Sequence, residues 1–270
     1  MSVIVELYFG LPVTRLAVEQ MAQRGSAKKQ QRQQARASRR EADNDALFYE
    51  DMPEPRRFVR DNTPIRAKNG AQERYIQAIK HYTLTIATGP AGTGKTWLAA
   101  ALAAEALEAK QVEKIIITRP AIEAGENLGF LPGELEEKFD PYLQPFRDVL
   151  IQRLGKGAFE YHLRVGNIEA VPLAYMRGRT FKSAWVVLDE AQNTTPTQMK
   201  MFLTRIGEDC KVIVNGDVRQ QDIRGESGLV DAVKRVSFIP AVKVVNFSRV
   251  DVVRSGLVQE IVEAYEKQAA

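Results

Sequence analysis

The segment from Gly89 to Thr96 has residue types and a spacing that suit phosphate binding. It matches the GxxxxGKT pattern and lies between an apolar stretch typical of a strand and a run with helical spacing. Glycines let the backbone curl inward, and the helix amino terminus adds partial positive charge. We therefore expect this loop to bind ATP, with Lys95 at the β- and γ-phosphates and the Thr96 hydroxyl on Mg²⁺. The loop residues are Gly89, Pro90, Ala91, Gly92, Thr93, Gly94, Lys95 and Thr96.

A pair of acidic residues follows a second apolar stretch, AWVVL at 184–188. Hydrolysis needs a metal anchor and a group that activates water. We therefore expect Asp189 to hold Mg²⁺ and Glu190 to act as the general base. A solvated acidic turn is the alternative interpretation, but the presence of a phosphate loop in the same chain favours the site.

Polar residues also follow a third apolar stretch, in the segment VIVNGDVRQQD. If this strand lies between the phosphate-loop strand and the Asp189 strand, its polar end faces the γ-phosphate. Gln220 or Asn215 could then sense whether that phosphate is present. The alternative is a simple polar turn at Gly216.

Apolar, β-branched stretches alternate with amphipathic ones from residue 64 onward. This alternation is typical of a parallel sheet with helices on both faces, so we predict an α/β fold. The predicted strands are 82–88, 112–119, 184–190, 210–217 and 242–247, and the predicted helices are 71–79, 96–108, 134–154, 195–206, 228–236 and 257–268.

The amino-terminal part of the chain differs in composition from the rest. Residues 24–58 begin with a basic run and lack apolar periodicity, so we predict a linker that is disordered or helical. A short N-terminal element is predicted at 1–23 and an ATPase domain at 59–270. The net charge of +4 is therefore concentrated in the linker and says little about the domain.

Cysteine and histidine are scarce in this sequence. Cys210 is the single cysteine, which excludes an internal disulfide, and His81 and His162 are too few for a convincing zinc site. We expect a protein of the reducing cytoplasm, with no export signal and no membrane-spanning segment.

Six segments together resemble the PhoH-like ATPases. They fall within residues 60–267, and the long second segment is the most specific of them. That family is similar to the amino-terminal motor half of superfamily 1 helicases. The resemblance therefore implies a RecA-like P-loop NTPase core and an ATPase linked to RNA metabolism. In chain order the segments are GPAGTGKT, TRPAIEAGENLGFLPGELEEKFDPYLQPF, YMRGRTF, DEAQN, GDVRQQD and DVVRSGLVQEIVEAY.

The resemblance also implies roles for residues at matching positions. Residues 118–120 match a nucleic-acid-associated motif, and residues 216–220 match the sensor motif. Gln72 stands where the family's adenine-reading glutamine occurs, and a side-chain amide can pair with both the N6 donor and the N7 acceptor of adenine. This chain departs from the family pattern at 255–256, where Ser-Gly replaces His-Pro, so a role for that histidine has no support here.

Helicases of the resembled class clamp ATP between two lobes, and the second lobe supplies an arginine. The chain continues for about 50 residues after Gln220, whereas such a lobe needs on the order of 150. We therefore expect no second lobe in this chain. A neighbouring subunit of a homo-oligomeric ring, such as a hexamer, would complete the site; otherwise the site is half-open and slow. Arg254 is the favoured arginine, with Arg249 and Arg224 behind it.

Basic and aromatic residues flank the predicted motor. Arg119 follows one strand, and Arg177 and Arg179 alternate with Tyr175 and Phe181 in another segment. Arginines hold phosphates and aromatic rings stack bases, so we predict a contact surface for single-stranded RNA or DNA. The alternative is that the rings belong to the core and the arginines pair with acids.

These patterns predict an ATP-hydrolysing, nucleic-acid-associated motor or remodeller, with RNA as the favoured partner. An ATP-dependent regulatory or assembly module without motor activity is a second hypothesis. A P-loop phosphotransferase is a third, but DEAQN argues against it because such kinases lack this water-activating pair.

Overall fold

The computed structural model describes residues 60–120, 135–253 and 256, all within the compact unit Phe58–Ala270. Several predicted features lie outside the described residues: segments 1–23 and 24–58, the helix 257–268, and Arg254.

Six β-strands and six α-helices occur among the described residues. The strands are β1 (Leu84–Thr88), β2 (Lys114–Thr118), β3 (Ile168–Ala170), β4 (Ala184–Leu188), β5 (Lys211–Gly216) and β6 (Val242–Asn246). The helices are α1 (Gly70–His81), α2 (Lys95–Glu108), α3 (Leu135–Leu154), α4 (Lys156–Arg164), α5 (Pro196–Leu203) and α6 (Gly228–Val236). All five predicted strands are confirmed, and so are the five predicted helices within the described part of the chain.

The strands form one parallel sheet in the order β3-β2-β4-β5-β1-β6. Strand β5 lies between β1 and β4, the position on which the γ-phosphate interpretation depended. The register pairs Thr88 with Gly216 and Thr118 with Leu188, so the carboxyl ends of these strands align. Residues that follow the strands therefore meet at one edge of the sheet, where α/β folds bind ligands.

Strand β3 and helix α4 are absent from the sequence prediction. Strand β3 has three residues, pairs with β2 alone among the described strands, and buries only Ile168. Helix α4 buries only Phe159. Strand β3 is too short for an alternating pattern to show, and α4 is a short helix that begins two residues after α3 ends.

Two apolar layers cover the sheet, as the alternation of side chains along each strand requires. On β2, Ile115 and Ile117 pack into the layer formed with α1, α2 and α3, while Ile116 packs into the opposite layer with α5 and α6. Burying one such side chain contributes about 1.5–3 kcal/mol. The fold is thus the RecA-like P-loop NTPase type of α/β architecture.

Helix α2 is buried on nearly all sides, and its composition explains how. Its sequence, KTWLAAALAAEALE, places small residues such as Ala99 and Ala103 at fully buried positions. Small side chains allow the helix to lie close to both the sheet and α3, and tight packing limits its movement. The phosphate loop therefore opens onto a rigidly held helix.

Candidate nucleotide-binding and hydrolysis site

The phosphate loop takes a backbone conformation that its glycines permit. Gly89, Gly92 and Gly94 have φ values of 136°, 81° and 87°. A Cβ added at Gly89 would lie 2.3 Å from the carbonyl oxygen of Phe247. Positive φ and close backbone approach are the two conditions that glycine alone meets at low cost. The backbone at position 89 therefore requires glycine, as the predicted phosphate-loop pattern does.

The Lys95 side chain folds back onto its own loop. Its Nζ atom donates to the carbonyl oxygens of Gly89 at 2.7 Å and Pro90 at 2.9 Å, and to Thr93 Oγ1 at 3.2 Å. Burial lowers the pKa of Lys95, against the opposing effect of the charges of Asp217, Asp189 and Glu190. An anionic ligand in the loop would offset this burial penalty, which is the electrostatic property expected of a phosphate site.

The predicted metal residues lie together. Thr96 Oγ1 is 3.3 Å from Asp189 Oδ1 and donates to it, and Asp189 is buried. Hydroxyl and carboxylate oxygens suit Mg²⁺, which prefers oxygen ligands. Among the described residues no group of three or more His, Cys, Asp or Glu side chains could hold a metal alone. Further Mg²⁺ ligands would therefore be phosphate oxygens and waters, as is usual for Mg²⁺ with nucleotides.

Arg119 lies beside the predicted metal residue Asp189 and not on an open surface. Its Nη2 atom donates to Asp189 Oδ2 at 2.5 Å, and the Arg119 side chain is only 19% exposed. The backbone N–H of Asp189 donates to the Thr118 carbonyl at 3.0 Å, which locks the ends of β2 and β4 together. Sequence reasoning placed Arg119 with the nucleic-acid contacts because it could not see that β2 and β4 are neighbours.

Glu190 adopts a left-handed backbone conformation, with φ 54° and ψ 37°. This region is sparsely populated for residues other than glycine and costs of order 1–3 kcal/mol, and such strain is concentrated at functional sites. The turn at Glu190 leads into a short 3₁₀ helix, Ala191–Asn193, that folds the chain back beside β5. The strained turn thus sets the direction of the predicted catalytic carboxylate.

Gln192 connects Glu190 to the sensor motif. Its Nε2 atom donates to Glu190 Oε2 at 2.7 Å and to the Gln220 carbonyl at 3.2 Å. Its Oε1 atom accepts the Asp217 backbone N–H at 3.0 Å. The side chain is 1% exposed, so its amide is committed to these contacts. The sequence prediction omitted Gln192, although its place in DEAQN was visible.

The two predicted sensor residues occupy different places. Gln220 lines the same cavity as the phosphate loop and Glu190. Asn215 is fully buried, and its Oδ1 atom accepts from the Tyr75 hydroxyl at 2.6 Å. Burial raises the pKa of Tyr75, so this hydroxyl stays protonated and donates. Gln220 is therefore the sensor candidate that the geometry favours over Asn215.

Gln72 is hydrogen bonded to the phosphate loop. Its Nε2 atom donates to the Thr93 carbonyl at 2.9 Å, and its Oε1 atom accepts the Lys68 backbone N–H at 2.8 Å. The side chain is 4% exposed. Both ends of the amide are thus engaged with the protein, so adenine reading by Gln72 stays a prediction that would require one of these bonds to be shared or exchanged.

The predicted nucleic-acid surface is partly used for packing. Arg179 Nη2 donates to Glu169 Oε2 at 2.7 Å, and Phe181 is buried in the core. Arg177 is exposed and has no ion pair within the described part of the chain, while Tyr175 is 56% exposed. Of the predicted contacts, Arg177 and Tyr175 are exposed at the surface, whereas Phe181 is buried.

The arginines predicted to complete the site of a neighbouring subunit lie in the last third of the chain. Arg224 is exposed, and Arg249 belongs to a short 3₁₀ helix, Arg249–Asp251. The segment that leads to Arg254 is tied to the same chain's loop, because the Val253 backbone N–H donates to the Gly92 carbonyl at 2.9 Å. An arginine after Val253 therefore has to be tested for action within its own chain as well as between subunits.

The cavity at the loop has a volume of about 250 Å³. This is below the roughly 300 Å³ at which ligand pockets usually begin, so its enclosed part suits phosphates better than a whole nucleotide. Trp97, at 38% exposure, lies at its rim. The lining residues are Ala91, Gly92, Thr93, Gly94, Lys95, Thr96, Trp97, Asp189, Glu190, Gly216, Asp217 and Gln220.

Comparisons with known proteins agree with the resemblance seen in the sequence. The family model described as PhoH-like protein matches residues 64–266. The chain is 54% identical over 213 residues to Protein PhoH of Escherichia coli (strain K12), covering 77% of this chain and 60% of that protein. It is 52% identical over 206 residues to the PhoH-like protein of Bacillus subtilis (strain 168), covering 76% and 65%. The chain thus matches less than two thirds of the length of these relatives.

One solved structure that aligns with part of the chain is the Pif1 helicase from Candida albicans. It aligns with 12% identity and a TM-score of 0.34, covering 68% of this chain and 41% of that one. Within the described residues, no helix combines the length and apolar character needed to cross a bilayer.

Proposed function

The chain belongs to the PhoH-like protein family, and on that premise we propose that it is an ATPase that couples hydrolysis to a nucleic acid, with single-stranded RNA as the favoured partner. One observation carries the proposal. Gln192 holds the Glu190 carboxylate and the sensor motif together beside the phosphate loop. A site that only bound nucleotide would not need the Gln192 contacts. Hydrolysis does need them, because it requires a carboxylate held in one position.

Nucleotide binding uses the Lys95 ammonium in a new set of contacts. Lys95 leaves the Gly89 and Pro90 carbonyls and donates to the β- and γ-phosphates, while the first-turn N–H groups of α2 face the same oxygens. Mg²⁺, held by Thr96 and Asp189, would neutralise charge on the β- and γ-phosphate oxygens. The residues present fit that ion, because both supply oxygen atoms.

Hydrolysis depends on the Glu190 carboxylate. It accepts a proton from a water molecule as that water attacks the γ-phosphorus, and the bond from phosphorus to the bridging oxygen of ADP breaks. The Gln192 amide orients the carboxylate through its 2.7 Å hydrogen bond. Gln220 lines the cavity beside it and is placed to respond to the presence of the γ-phosphate.

The proposed nucleic-acid contact uses the segment that follows β3. Arg177 supplies an exposed cation and Tyr175 an exposed ring, which suit a phosphate and a base respectively. The start of this segment is joined to the end of β2, because the Leu173 backbone N–H donates to the Arg119 carbonyl at 3.0 Å. A contact here would therefore be connected through the backbone to the strand end that borders Asp189.

We also propose that an arginine completes the site in the assembled protein. Lys95 is the one cation among the described residues that line the cavity. An arginine that stabilises charge on the transferred phosphoryl group contributes about 10³–10⁵ in rate in other phosphoryl-transfer enzymes. Arg254 of a neighbouring subunit in a homo-oligomer remains the favoured source, with Arg249 and Arg224 behind it.

The test is release of inorganic phosphate from ATP with and without single-stranded RNA, with single-stranded DNA of the same base order as a matched arm. We expect the rate of phosphate release to increase when RNA is added, and to increase less in the Arg177→Ala variant. A phosphotransferase would instead require an added acceptor for turnover. A regulatory module would bind ATP yet release phosphate at the same low rate in all arms, and that result would contradict the proposal.

A further inference from the structure

We propose that Arg119 is an exchangeable counter-ion for Asp189: it neutralises this carboxylate when no nucleotide is bound and keeps divalent cations away from it. The inference rests on the proposed nucleotide site, in which Asp189 holds Mg²⁺. It assigns Arg119 a positioning role at the metal site, separate from any contact with nucleic acid.

The charge of Asp189 needs a partner in the structure. Its side chain is 6% exposed, and a buried carboxylate without a nearby cation is strongly disfavoured. Arg119 is the one basic side chain within ion-pair distance of Asp189 among the described residues, because Lys95 directs its ammonium at the Gly89 and Pro90 carbonyls. Arg119 therefore supplies the neutralising charge that a metal ion would otherwise supply.

The Asp189 carboxylate cannot serve both cations equally. The Arg119 Nη2 atom lies 2.5 Å from Asp189 Oδ2, and the Thr96 hydroxyl approaches the other oxygen, Oδ1, at 3.3 Å. A cation that binds between Thr96 and Asp189 meets the guanidinium charge at the same carboxylate. Repulsion between the two cations and competition for one anion both oppose simultaneous binding.

The pairing is also built in a way that permits exchange. Arg119 binds Asp189 through one nitrogen, not through the two parallel hydrogen bonds that make arginine–carboxylate pairs strong. Its Nε atom is buried and has no hydrogen-bond partner among the described residues, and its guanidinium carbon lies 6.0 Å from the centre of the Phe146 ring. A guanidinium with an unsatisfied donor gains hydrogen bonds when it leaves, which lowers the cost of exchange.

The consequence is a metal site that depends on nucleotide. A divalent cation alone has to displace Arg119 with only Thr96 and Asp189 as protein ligands. A cation that arrives with a nucleotide brings phosphate oxygens, and these supply the extra affinity. Arg119 thus prevents the site from holding a metal before the nucleotide is present.

The test uses Mn²⁺, an oxygen-binding ion that stands in for Mg²⁺ and is followed by electron paramagnetic resonance without any turnover. Mn²⁺ is titrated into the full chain without nucleotide. We expect Arg119→Gln to bind Mn²⁺ tighter than the wild type by on the order of tenfold, because Asp189 has lost its cation. The gain should disappear in the double variant Arg119→Gln with Asp189→Asn.

The control is Arg153→Gln. Like Arg119→Gln it removes one positive charge, but from a buried arginine that lies outside the site. Arg153 Nη2 donates to Glu105 Oε1 at 2.7 Å, and its side chain is 6% exposed. This variant should bind Mn²⁺ like the wild type. Equal Mn²⁺ affinity in Arg119→Gln and the wild type, with both folded by circular dichroism, would overturn the inference.

If Arg119→Gln does not fold, the wild type still offers a measurement that can contradict the inference. Mn²⁺ should bind the wild type at least tenfold more weakly without nucleotide than with ADP, a difference of about 1.4 kcal/mol or more. Equal affinity in the two conditions would contradict the role of Arg119. Failure of every variant to bind ADP would instead contradict the proposed function and leave the nucleotide-free comparison intact as a separate result.

Discussion

Glu190 and Gln192 lie two residues apart, and the side-chain amide of Gln192 donates to the carboxylate of Glu190 at 2.7 Å. The contact exists because Glu190 has a left-handed backbone, which turns the chain back on itself after β4. The same amide reaches the Asp217 N–H and the Gln220 carbonyl. One side chain therefore joins the proposed water-activating group to the motif that lines the cavity beside the phosphate loop.

Gln192→Ala is expected to lower turnover by about 10- to 100-fold while ATP affinity stays within a few-fold of the wild type. The reason is that the Glu190 carboxylate loses its orienting donor while the phosphate loop is unchanged. Steady-state kinetics together with equilibrium nucleotide binding measure the two effects. Gln77→Ala is the control, because Gln77 is exposed and donates only to Glu73 in the described structure. A loss of ATP binding as large as the loss of turnover would show that Gln192 is merely structural.

Gly89→Ala is expected to weaken both stability and nucleotide binding. Its Cβ would approach the Phe247 carbonyl to 2.3 Å in a backbone with φ 136°, so the loop has to move. The free energy of unfolding should fall by about 1–3 kcal/mol, measured by urea denaturation. Gly157→Ala in α4 is the matched control, because no heavy atom lies within 4 Å of its added Cβ. Unchanged nucleotide affinity in Gly89→Ala would contradict the loop assignment.

Glu169→Gln is expected to make the free energy of unfolding less dependent on pH. Burial raises the pKa of Glu169, but hydrogen bonds and charges from Arg179 and Lys114 outweigh this effect and lower it overall. A lowered pKa stabilises the fold above the ordinary glutamate pKa, and this contribution is lost as the pH falls through the folded-state value. The variant should therefore be less stable by about 1 kcal/mol near neutral pH and approach the wild type in acid.

Urea denaturation at a series of pH values measures this effect. Glu160→Gln is the control, because the Lys156–Glu160 pair is exposed and 3.8 Å apart. Such pairs contribute little, so its loss should change stability by less than about 0.5 kcal/mol at any pH. A constant difference between Glu169→Gln and the wild type from neutral pH to acid would contradict the expected charge interaction.

The site's parts differ in how far the sequence predicted them. The loop at 89–96 and the Asp189–Glu190 pair were predicted because each is visible in a short sequence segment. The apolar strands that precede them placed both at the same end of the sheet. The position of β5 between β1 and β4 entered only as a condition, because pairing order is a property of distant residues. Gln192 was missed since its contacts require the backbone turn at Glu190, which an alternating apolar pattern does not encode.

Arg119 and Gln72 illustrate a second limit. Each has a residue type that suits an external ligand, and in the structure each contacts the protein: Arg119 binds Asp189, and Gln72 binds Thr93. Both partners lie on other elements of the fold. A sequence pattern reports what a side chain can bind, whereas the packing of strands and helices decides which partner is near.

A mixing experiment tests whether Arg254 acts between subunits. Lys95→Ala subunits keep Arg254 but lose the phosphate-binding cation, whereas Arg254→Ala subunits keep a complete loop. Each should be nearly inactive alone. Lys95→Ala subunits cannot hold the phosphates, and Arg254→Ala subunits lack an arginine that contributes about 10³–10⁵ in rate in comparable enzymes. Mixed, they should regain part of the phosphate release, and turnover per subunit should rise with protein concentration.

The opposite outcome of the mixing experiment is equally informative. The Val253 backbone N–H donates to the Gly92 carbonyl of the same chain, so action of Arg254 within its own subunit is the alternative to test. In that case either the site or its arginine is missing in every subunit, and the mixture stays inactive. No recovery on mixing, with turnover per subunit constant on dilution, would contradict action between subunits.

The most direct measurement of the central claim compares Lys95→Ala and Glu190→Gln in two assays, equilibrium binding of ATP with Mg²⁺ and release of inorganic phosphate. We predict that Lys95→Ala loses binding, because the cation that faces the phosphates is gone. Glu190→Gln should bind ATP within a few-fold of the wild type yet release phosphate at least about 100-fold more slowly, since an amide cannot accept the proton of the attacking water. Phosphate release at the wild-type rate by Glu190→Gln would contradict the proposed hydrolysis site.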